Sequence, residues 1–386
     1  PPSHTYKQQP ALSILFHTYM ASLFETTTLS EGDIRSMLQL RGGLPVEHRV
    51  TAWKFLLGLP GNSKQFAQLV SRGPHPAALA SLSIRYPLRD RKLFRKAAVF
   101  LSALAHWSPI LAEVEFVPSW LLPFCVVFGQ DDLGAFEAAV SFLLHWGSRL
   151  LVTFPQPPVP VLAGMELALQ RADRELAAHL KSLSVGALSY GWPLLRSAFS
   201  EVLAREEWLC LIDRILANAH RPELLEAAVV GFVVSFRKQL LVLESTEEAE
   251  AFFKRRQSPS ASDLQRMFRV MEKVSSYVRQ PERFGGQVDS GGADVGEAMA
   301  ALVLLRIAPQ EFKPLPRVGA YPSFDGYPQF VINYQAEMRQ RVAVQERDMR
   351  HKHRLVKELR QGAGAIASRG EAPKWAEDTV KKLVEA

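Results

Sequence analysis

The feature that most constrains this 386-residue chain is the helical spacing of its apolar residues along almost the whole length. Apolar side chains recur every three to four positions in segments such as 94–105 and 165–183, and strand-like alternation is nearly absent. Only 229–236 is ambiguous, and its Leu- and Ala-rich flanks favour a helix. Because 47% of the residues are hydrophobic, these helical faces can be buried in a sizeable core. The sequence therefore predicts an all-α fold.

The local sequence also predicts where several elements begin and what they bury. Pro193 is expected to open a helix running to Val202, because the N–H that proline lacks has no partner in a first helical turn. The apolar stretch 224–243 is broken by two cations and falls short of the roughly 20 residues that a bilayer requires. We therefore expect a buried helix there and no transmembrane segment. Cys125 and Cys210 lie in apolar runs, which favours core thiols in a reducing, intracellular and cytoplasmic setting.

The net charge of +7 is unevenly distributed. Residues 329–386 hold 12 Lys and Arg against 8 Asp and Glu, whereas the remaining 328 residues hold 34 against 31. No basic block interleaved with aromatic residues occurs in the nearly neutral body, so nucleic-acid binding is not indicated. His106 and His145 each precede a Trp in an apolar segment, and a structural role is favoured over proton transfer for both. No metal-binding motif is present, and no metal site is expected.

One local pattern stands above this background, in residues 43–53. It has the form Gly-x-Pro, then Arg49 and Trp53 four residues apart at the start of an amphipathic helix. Residues with that spacing share a helix face, so the guanidinium can lie against the indole or reach a neighbouring loop carbonyl.

This segment resembles the first signature motif of the TBC domain, the all-helical module of Rab GTPase-activating proteins. Further segments follow in the family's order, with Ile212 where a Trp is usual: Tyr190-x-Trp192, Phe199-Ser200 and Leu211-Ile212-Asp213-x-x-Leu216. A closer likeness, to a subgroup with WD repeats before the domain and a long coiled coil after it, is carried by five segments: 59–62, 86–89, 101–107, 192–203 and 327–335. The resemblance implies a Rab GTPase as partner, no cofactor, and a place at the centrosome, centriolar satellites or cilium.

The resemblance also implies a catalytic mechanism with two side chains. An Arg in the pattern Ile-x-x-Asp-x-x-Arg neutralises charge on the transferred phosphoryl group, and a Gln in Tyr-x-Gln orients the attacking water. Aligning Arg-x-x-Pro with residues 84–87 puts Ile84 at the Arg position, Ser81 at the Asp position and Ala78 at the Ile position. Aligning the second pattern with residues 115–119 puts Phe116 at the Tyr and Pro118 at the Gln.

Neither substituted residue can perform the expected chemistry. Ile84 has no charge and no hydrogen-bond donor, and Pro118 has neither a polar side chain nor an amide N–H. We therefore expect no catalytic residue and a non-catalytic TBC module that binds a GTPase or serves as a scaffold in ciliary or centrosomal trafficking. The expected partner-binding residues are Arg49, Trp53, Arg85 and Phe116. The alternatives are an active GTPase-activating protein with Arg85 or Arg89 as a displaced catalytic arginine, and a spacer with no GTPase contact.

The same resemblance suggests the domain organisation. We expect a helical N-terminal extension at 1–40 and a TBC domain at 41–308, with lobes at about 41–160 and 161–308 and a mobile Gly-rich insert at 285–296. A Pro-rich connection at 309–328 and a charged helix and tail at 329–386 follow. The first residues, Pro-Pro-Ser, suggest a fragment of a longer protein.

The tail contains a broken heptad pattern. Apolar residues occupy five of its a and d positions: Met338, Val342, Met349, Val356 and Leu359. Two d positions are polar instead, with Gln345 and Lys352. A single charged helix and the start of a coiled coil that self-associates or binds a scaffold partner through 329–361 are equally compatible with this pattern.

Overall fold

The computed structural model describes residues 31–279 and 321–367, which form helices joined by short connections and contain no strand beyond an isolated bridge between Leu203 and Gln257. The predicted all-α fold is confirmed. The helices are α1 (Glu31–Arg41), α2 (Val46–Leu57), α3 (Ser63–Val70), α4 (Pro76–Arg85), α5 (Arg91–Trp107), α6 (Ile110–Glu113), α7 (Val117–Val127), α8 (Asp132–Trp146), α9 (Ser148–Leu151), α10 (Val159–Ala172), α11 (Arg174–Ser182), α12 (Ala187–Arg196), α13 (Arg205–Ala217), α14 (Leu224–Ser235), α15 (Arg237–Leu240), α16 (Thr246–Lys254), α17 (Ala261–Arg279) and α18 (Gln329–Ala367).

Two helix boundaries differ from the sequence prediction. The continuous pattern over 165–183 is divided between α10 and α11, because the side chain of Asp173 accepts a hydrogen bond from the amide of Leu176 and caps a new helix. Pro193 lies inside α12 instead of opening a helix, and that helix ends at Arg196, well before Val202. Its first amide, at Ala187, donates 2.7 Å to the carboxylate of Glu166, a partner on α10 that the local sequence does not reveal.

The core of the C-terminal half is built around α14. All twelve residues of this helix are buried, as the apolar stretch predicts. Helix α17 crosses it so closely that a Cβ on Gly231 would lie 2.5 Å from the carbonyl oxygen of Met267. Because real Cβ atoms do not approach that near, only glycine permits this helix–helix distance.

In the N-terminal half, α5, α7 and α8 bury a cluster of aromatic rings. The segment 321–326 packs against this half: the ring of Phe324 lies 4.7 Å from that of Trp107 and 6.1 Å from that of Phe136. The indole N–H of Trp107 donates 2.7 Å to the carbonyl of Gly326. The last residues of the expected Pro-rich connection are thus part of the folded domain. Residues 1–30, 280–320 and 368–386, which include the expected Gly-rich insert, lie outside the described residues.

The chain divides into two compact units, residues 1–326 and 327–386. The described part of the second unit contains α18, which spans 39 residues and confirms the predicted charged helix. Val342 and Met349 are 49% and 59% exposed, and Arg350 pairs with Glu346 one turn away at 3.3 Å. The coiled coil stays a prediction. No helix in the described ranges has the length and apolar character needed to cross a bilayer.

Candidate functional site

The Arg-x-x-x-Trp motif lies inside the domain, on α2. Arg49 and Trp53 are 6% and 0% exposed, and both donate to the fully buried carboxylate of Asp213 on α13, at 3.2 and 2.7 Å. The amide of Leu44 donates to the same carboxylate at 2.7 Å, and Arg49 also donates to the carbonyl of Leu44. The guanidinium of Arg49 therefore contacts a loop carbonyl, as the sequence predicts.

This buried network ties the loop before α2 and α2 itself to α13. Burial raises the pKa of Asp213 to about 6, against the opposing effect of the neighbouring Arg49 charge. Gly43 is required beside it, since a Cβ there would lie 2.8 Å from the sulfur of Cys210. Arg49 and Trp53 were expected to contact a partner. Because both have almost no accessible surface, the structure gives them a structural role instead.

The segment aligned with the catalytic Arg pattern, residues 84–87, begins in the last turn of α4, which ends at Arg85. Ile84 is 80% exposed, so its branched side chain points to solvent where the family pattern has a guanidinium. Ala78 is buried, and the buried hydroxyl oxygen of Ser81 has no hydrogen-bond partner within the described residues. The end of α4 thus presents an exposed apolar side chain at position 84.

The structure places this segment beside the second one. The guanidinium of Arg85 donates 3.0 Å to the carbonyl of Glu113, and the hydroxyl of Tyr86 donates 3.1 Å to the carbonyl of Glu115. Burial raises the pKa of Tyr86, so the phenol is a neutral donor. The two segments, although 30 or so positions apart in sequence, therefore lie side by side in the domain.

Pro118 is buried in the first turn of α7, where a missing N–H removes no helical hydrogen bond. Phe116, just before the helix, is 3% exposed and packs with ring centroids 5.8 Å from both Trp120 and Trp192. Ser119 donates to the carbonyls of Phe116 and Arg196, at 2.8 and 3.0 Å. Phe116 was also expected to contact a partner, but in the structure it packs inside the domain.

Arg85 remains on the surface, as does Arg89, and they are the residues the sequence offered as substitute catalytic arginines. Arg85 is held by its bond to Glu113, whereas the guanidinium of Arg89 makes no hydrogen bond or ion pair within the described residues. Neither replaces the side chain at position 84, whose direction is set by the last turn of α4. The arrangement supplies contact surface and positive charge, with no amide side chain at position 118.

A groove, here called the α7 groove, opens beside Tyr86 and was not predicted from the sequence. It has a volume of about 330 Å³. Its lining comes from the α4–α5 connection, α5, α7, the 200–203 loop, α13 and Arg256. Sequence reasoning missed it because its residues are far apart along the chain, and the ones that belong to family segments, such as Tyr86, Ser119 and Ser200, do not reveal that they line a common groove.

Other candidate groups have structural roles. The Nε2 atoms of His106 and His145 lie 2.9 and 2.7 Å from the carbonyls of Gly73 and Ala219. Burial lowers the pKa of His145, which favours the neutral ring. Within 31–279 and 321–367, no three His, Cys, Asp or Glu side chains converge on a metal-sized site.

The similar curated proteins that we compared all carry the same name, TBC1 domain family member 31. The chain is 33% identical over 347 residues to TBC1 domain family member 31 of Xenopus laevis and 31% identical over 332 residues to that of Homo sapiens. These alignments cover 90% and 86% of this chain, which spans only 29% and 28% of the relatives' length. No family model matches the chain.

Two solved structures resemble it. The Ypt/Rab-GAP domain of Gyp1p superposes with a TM-score of 0.57 at 13% identity, covering 69% of this chain and 98% of that domain. A Chlamydomonas flagellar RabGAP TBC domain superposes with a TM-score of 0.51 at 12% identity, covering 69% and 92%. At such low identity these likenesses concern the fold alone.

Proposed function

Because this chain has the all-α TBC Rab-GAP fold and is homologous to the TBC1 domain family member 31 proteins, we propose that it binds a Rab-family GTPase without accelerating GTP hydrolysis. The observation that carries the proposal is the pair of residues at the two family positions. Ile84 is an exposed apolar side chain and Pro118 a buried proline, and they lie on segments joined by the bonds of Arg85 and Tyr86. On this proposal both reactive groups are missing, while the exposed Arg85 and Ile84 remain available for contact with a GTPase.

The magnitude of the missing effect is large. A catalytic arginine contributes about 10³–10⁵ in rate, which corresponds to roughly 4–7 kcal/mol of transition-state stabilisation. Such stabilisation requires donors already directed at the developing charge. Arg85 would first have to break its bond to Glu113, and Arg89 lies five residues beyond Ile84, past the end of α4. This geometry favours a binding module over the alternative of an active protein with a displaced arginine.

Single-turnover GTP hydrolysis by a panel of Rab proteins, with and without the domain, tests the proposal. We expect at least one Rab to bind in its GTP-analogue form and no Rab to be accelerated by a hundredfold or more. An acceleration of that size would refute the absence of catalysis; its loss in an Arg85→Ala/Arg89→Ala variant would identify the displaced arginine. Absence of binding across the panel, with the fold intact, would refute the GTPase-binding role and favour a spacer.

A gain-of-function variant makes the assignment of the two positions testable in the opposite direction. Ile84→Arg/Pro118→Gln introduces both side chains. The Arg at position 84 is exposed, whereas the uncharged Gln replaces a buried proline, so thermal unfolding has to show that the variant is folded. For a Rab that binds, we expect hydrolysis to rise by about a hundredfold or more. The matched control is Ile84→Gln/Pro118→Ala, which changes the same positions without a cation. Equal rates for the two variants would show that positions 84 and 118 do not face the nucleotide.

The proposal extends to cellular context. By resemblance, the domain acts in trafficking at the centrosome, centriolar satellites or cilium, as part of a larger scaffold that α18 continues through 329–361. A fluorescent fusion of the full-length protein should then overlap with a basal-body marker. A uniform distribution through the cell would contradict this part of the proposal and leave the GTPase-binding part untouched.

A further inference from the structure

The α7 groove combines an apolar interior with an apolar edge. Leu93, Leu122 and Trp208 are among the residues that line it, and Val126 at its edge is 49% exposed. A volume of about 330 Å³ is at the lower end of the range for small-ligand pockets, roughly 300–1,000 Å³. The half-exposed apolar edge at Val126 is surface of the kind that a side chain of a macromolecular partner covers on binding.

The rim of the groove is positively charged. Arg205 and Arg256 line it, are exposed, and make no hydrogen bond or ion pair within the described residues. Arg89, next to groove-lining Leu88 in the α4–α5 connection, is also exposed and likewise unpaired in the described ranges. Unpaired cations around an apolar groove select for carboxylates in whatever occupies it.

The acidic residues near the groove do not cancel this charge. Glu201, the one carboxylate in its lining, lies 4.0 Å from Arg196. Asp90 caps α5 and accepts hydrogen bonds from the amides of that helix's first turn. On α13, Arg205, Trp208 and Leu209 share the face that lines the groove, whereas Glu206 and Glu207 lie on the other side of the helix and do not line it.

We propose that the α7 groove binds an acidic amphipathic helix of a protein partner. Apolar side chains of that helix enter between α7 and α13, and its carboxylates pair with Arg205 and Arg256. Addition of a partner strand is disfavoured, because the described residues form no sheet whose edge could accept one. A helix presents apolar side chains at i, i+3 or i+4 and i+7 with acidic residues on both flanks, which matches an apolar groove with a cationic rim. This binding does not require that a GTPase also binds the domain.

The test uses a displayed library of random peptides of about 16 residues, long enough for four helical turns. Peptides are selected on the full chain and counter-selected on the variant Arg205→Glu/Arg256→Glu. We expect the selected peptides to be enriched in Asp and Glu around Leu, Phe or Trp at helical spacing. Their dissociation constants, measured by fluorescence anisotropy, should rise at least tenfold on the double variant and on Val126→Asp.

Matched controls separate the groove from general effects of charge and polarity. Arg269→Glu and Val242→Asp make the same kinds of change at exposed positions that do not line the groove and should leave binding within about twofold. Thermal unfolding of every variant should match that of the parent chain, since each altered side chain is exposed. A second arm measures cosedimentation with vesicles of phosphatidylcholine containing phosphatidylserine.

Several outcomes would overturn the proposal: no enriched peptides, enriched peptides without acidic residues, or peptides whose binding is unchanged by the groove variants. Binding to the anionic vesicles that is lost in the groove variants, in the absence of peptide binding, would assign the groove to a membrane surface instead. Peptide binding that follows the groove variants while no Rab binds the domain would support this proposal and refute GTPase binding.

Discussion

Replacing Asp213 with Asn should remove a large part of the stability of the domain. The carboxylate receives the amide of Leu44, the guanidinium of Arg49 and the indole N–H of Trp53, and is itself fully buried. An Asn keeps one carbonyl oxygen, but turns an NH₂ group towards one of these donors and leaves the Arg49 charge without a counter-ion.

The magnitude follows from these contacts. Each hydrogen bond to a charged group contributes roughly 1.5–3 kcal/mol, and breaking a buried ion pair from one side costs about 3–5 kcal/mol. We therefore expect Asp213→Asn to lower the free energy of unfolding by about 3–5 kcal/mol, a fifth or more of the roughly 5–15 kcal/mol that stabilises a typical domain.

Urea unfolding at neutral pH, followed by far-UV circular dichroism, measures this loss. The matched control is Glu206→Gln, the same acid-to-amide change at an exposed position on the same helix, which should cost at most about 1 kcal/mol. An Asp213→Asn variant that loses less than about 1 kcal/mol would refute the view that the Arg-x-x-x-Trp motif serves to anchor α2 to α13. So would an Arg49→Met variant that folds normally and loses only partner binding.

Two further predictions concern packing and pH. Gly231→Ala should lower the free energy of unfolding by about 1–3 kcal/mol, because its Cβ would meet the Met267 carbonyl at 2.5 Å. Gly164→Ala, where the nearest atom would be 3.7 Å away, should instead gain about 0.5–1 kcal/mol in the same urea assay. Equal effects would contradict the close approach of α14 and α17. Burial raises the pKa of Glu226 from 4.5 to about 7, so the folded chain binds a proton that the unfolded chain has released. The unfolding free energy of the parent chain should therefore fall by about 3 kcal/mol, relative to Glu226→Gln, as the pH rises from about 4.5 to 7. Parallel pH profiles of the parent chain and Glu226→Gln would contradict the raised pKa of Glu226.

The sequence predicts the fold well where local chemistry decides it. The helical period predicts the all-α class and several of the longer helices, and the apolar stretch from Leu224, in which Glu226 is the one charge before Arg237, predicts the fully buried α14. Boundaries that depend on distant partners are missed: the capping of α12 by Glu166 comes from another helix, so Pro193 was misread as a starting signal.

For the site, the assignment of Ile84 and Pro118 to the two family positions stays a prediction, and the expected roles of three residues elsewhere differ from what the structure shows. Arg49, Trp53 and Phe116 were expected at a partner surface, since aromatic and Arg side chains are common there. The structure buries all three, because Asp213 and the aromatic neighbours of Phe116 come from helices remote in sequence. The α7 groove could not be predicted at all, as its existence depends on how the α4–α5 connection, α7 and α13 pack together.

Positions 118 and 84 differ in how far the fold constrains them. A first helical turn leaves its amide groups outside the helical ladder, so the backbone at 118 tolerates a residue with or without an N–H. Its side chain is buried, however, whereas the side chain at 84 is exposed at the end of α4. A polar residue at 118 must find a partner inside the domain, while a change at 84 leaves the core untouched. If these two positions are the reactive ones, as we propose, a cation could be lost or regained at 84 with no trace in the stability of the fold.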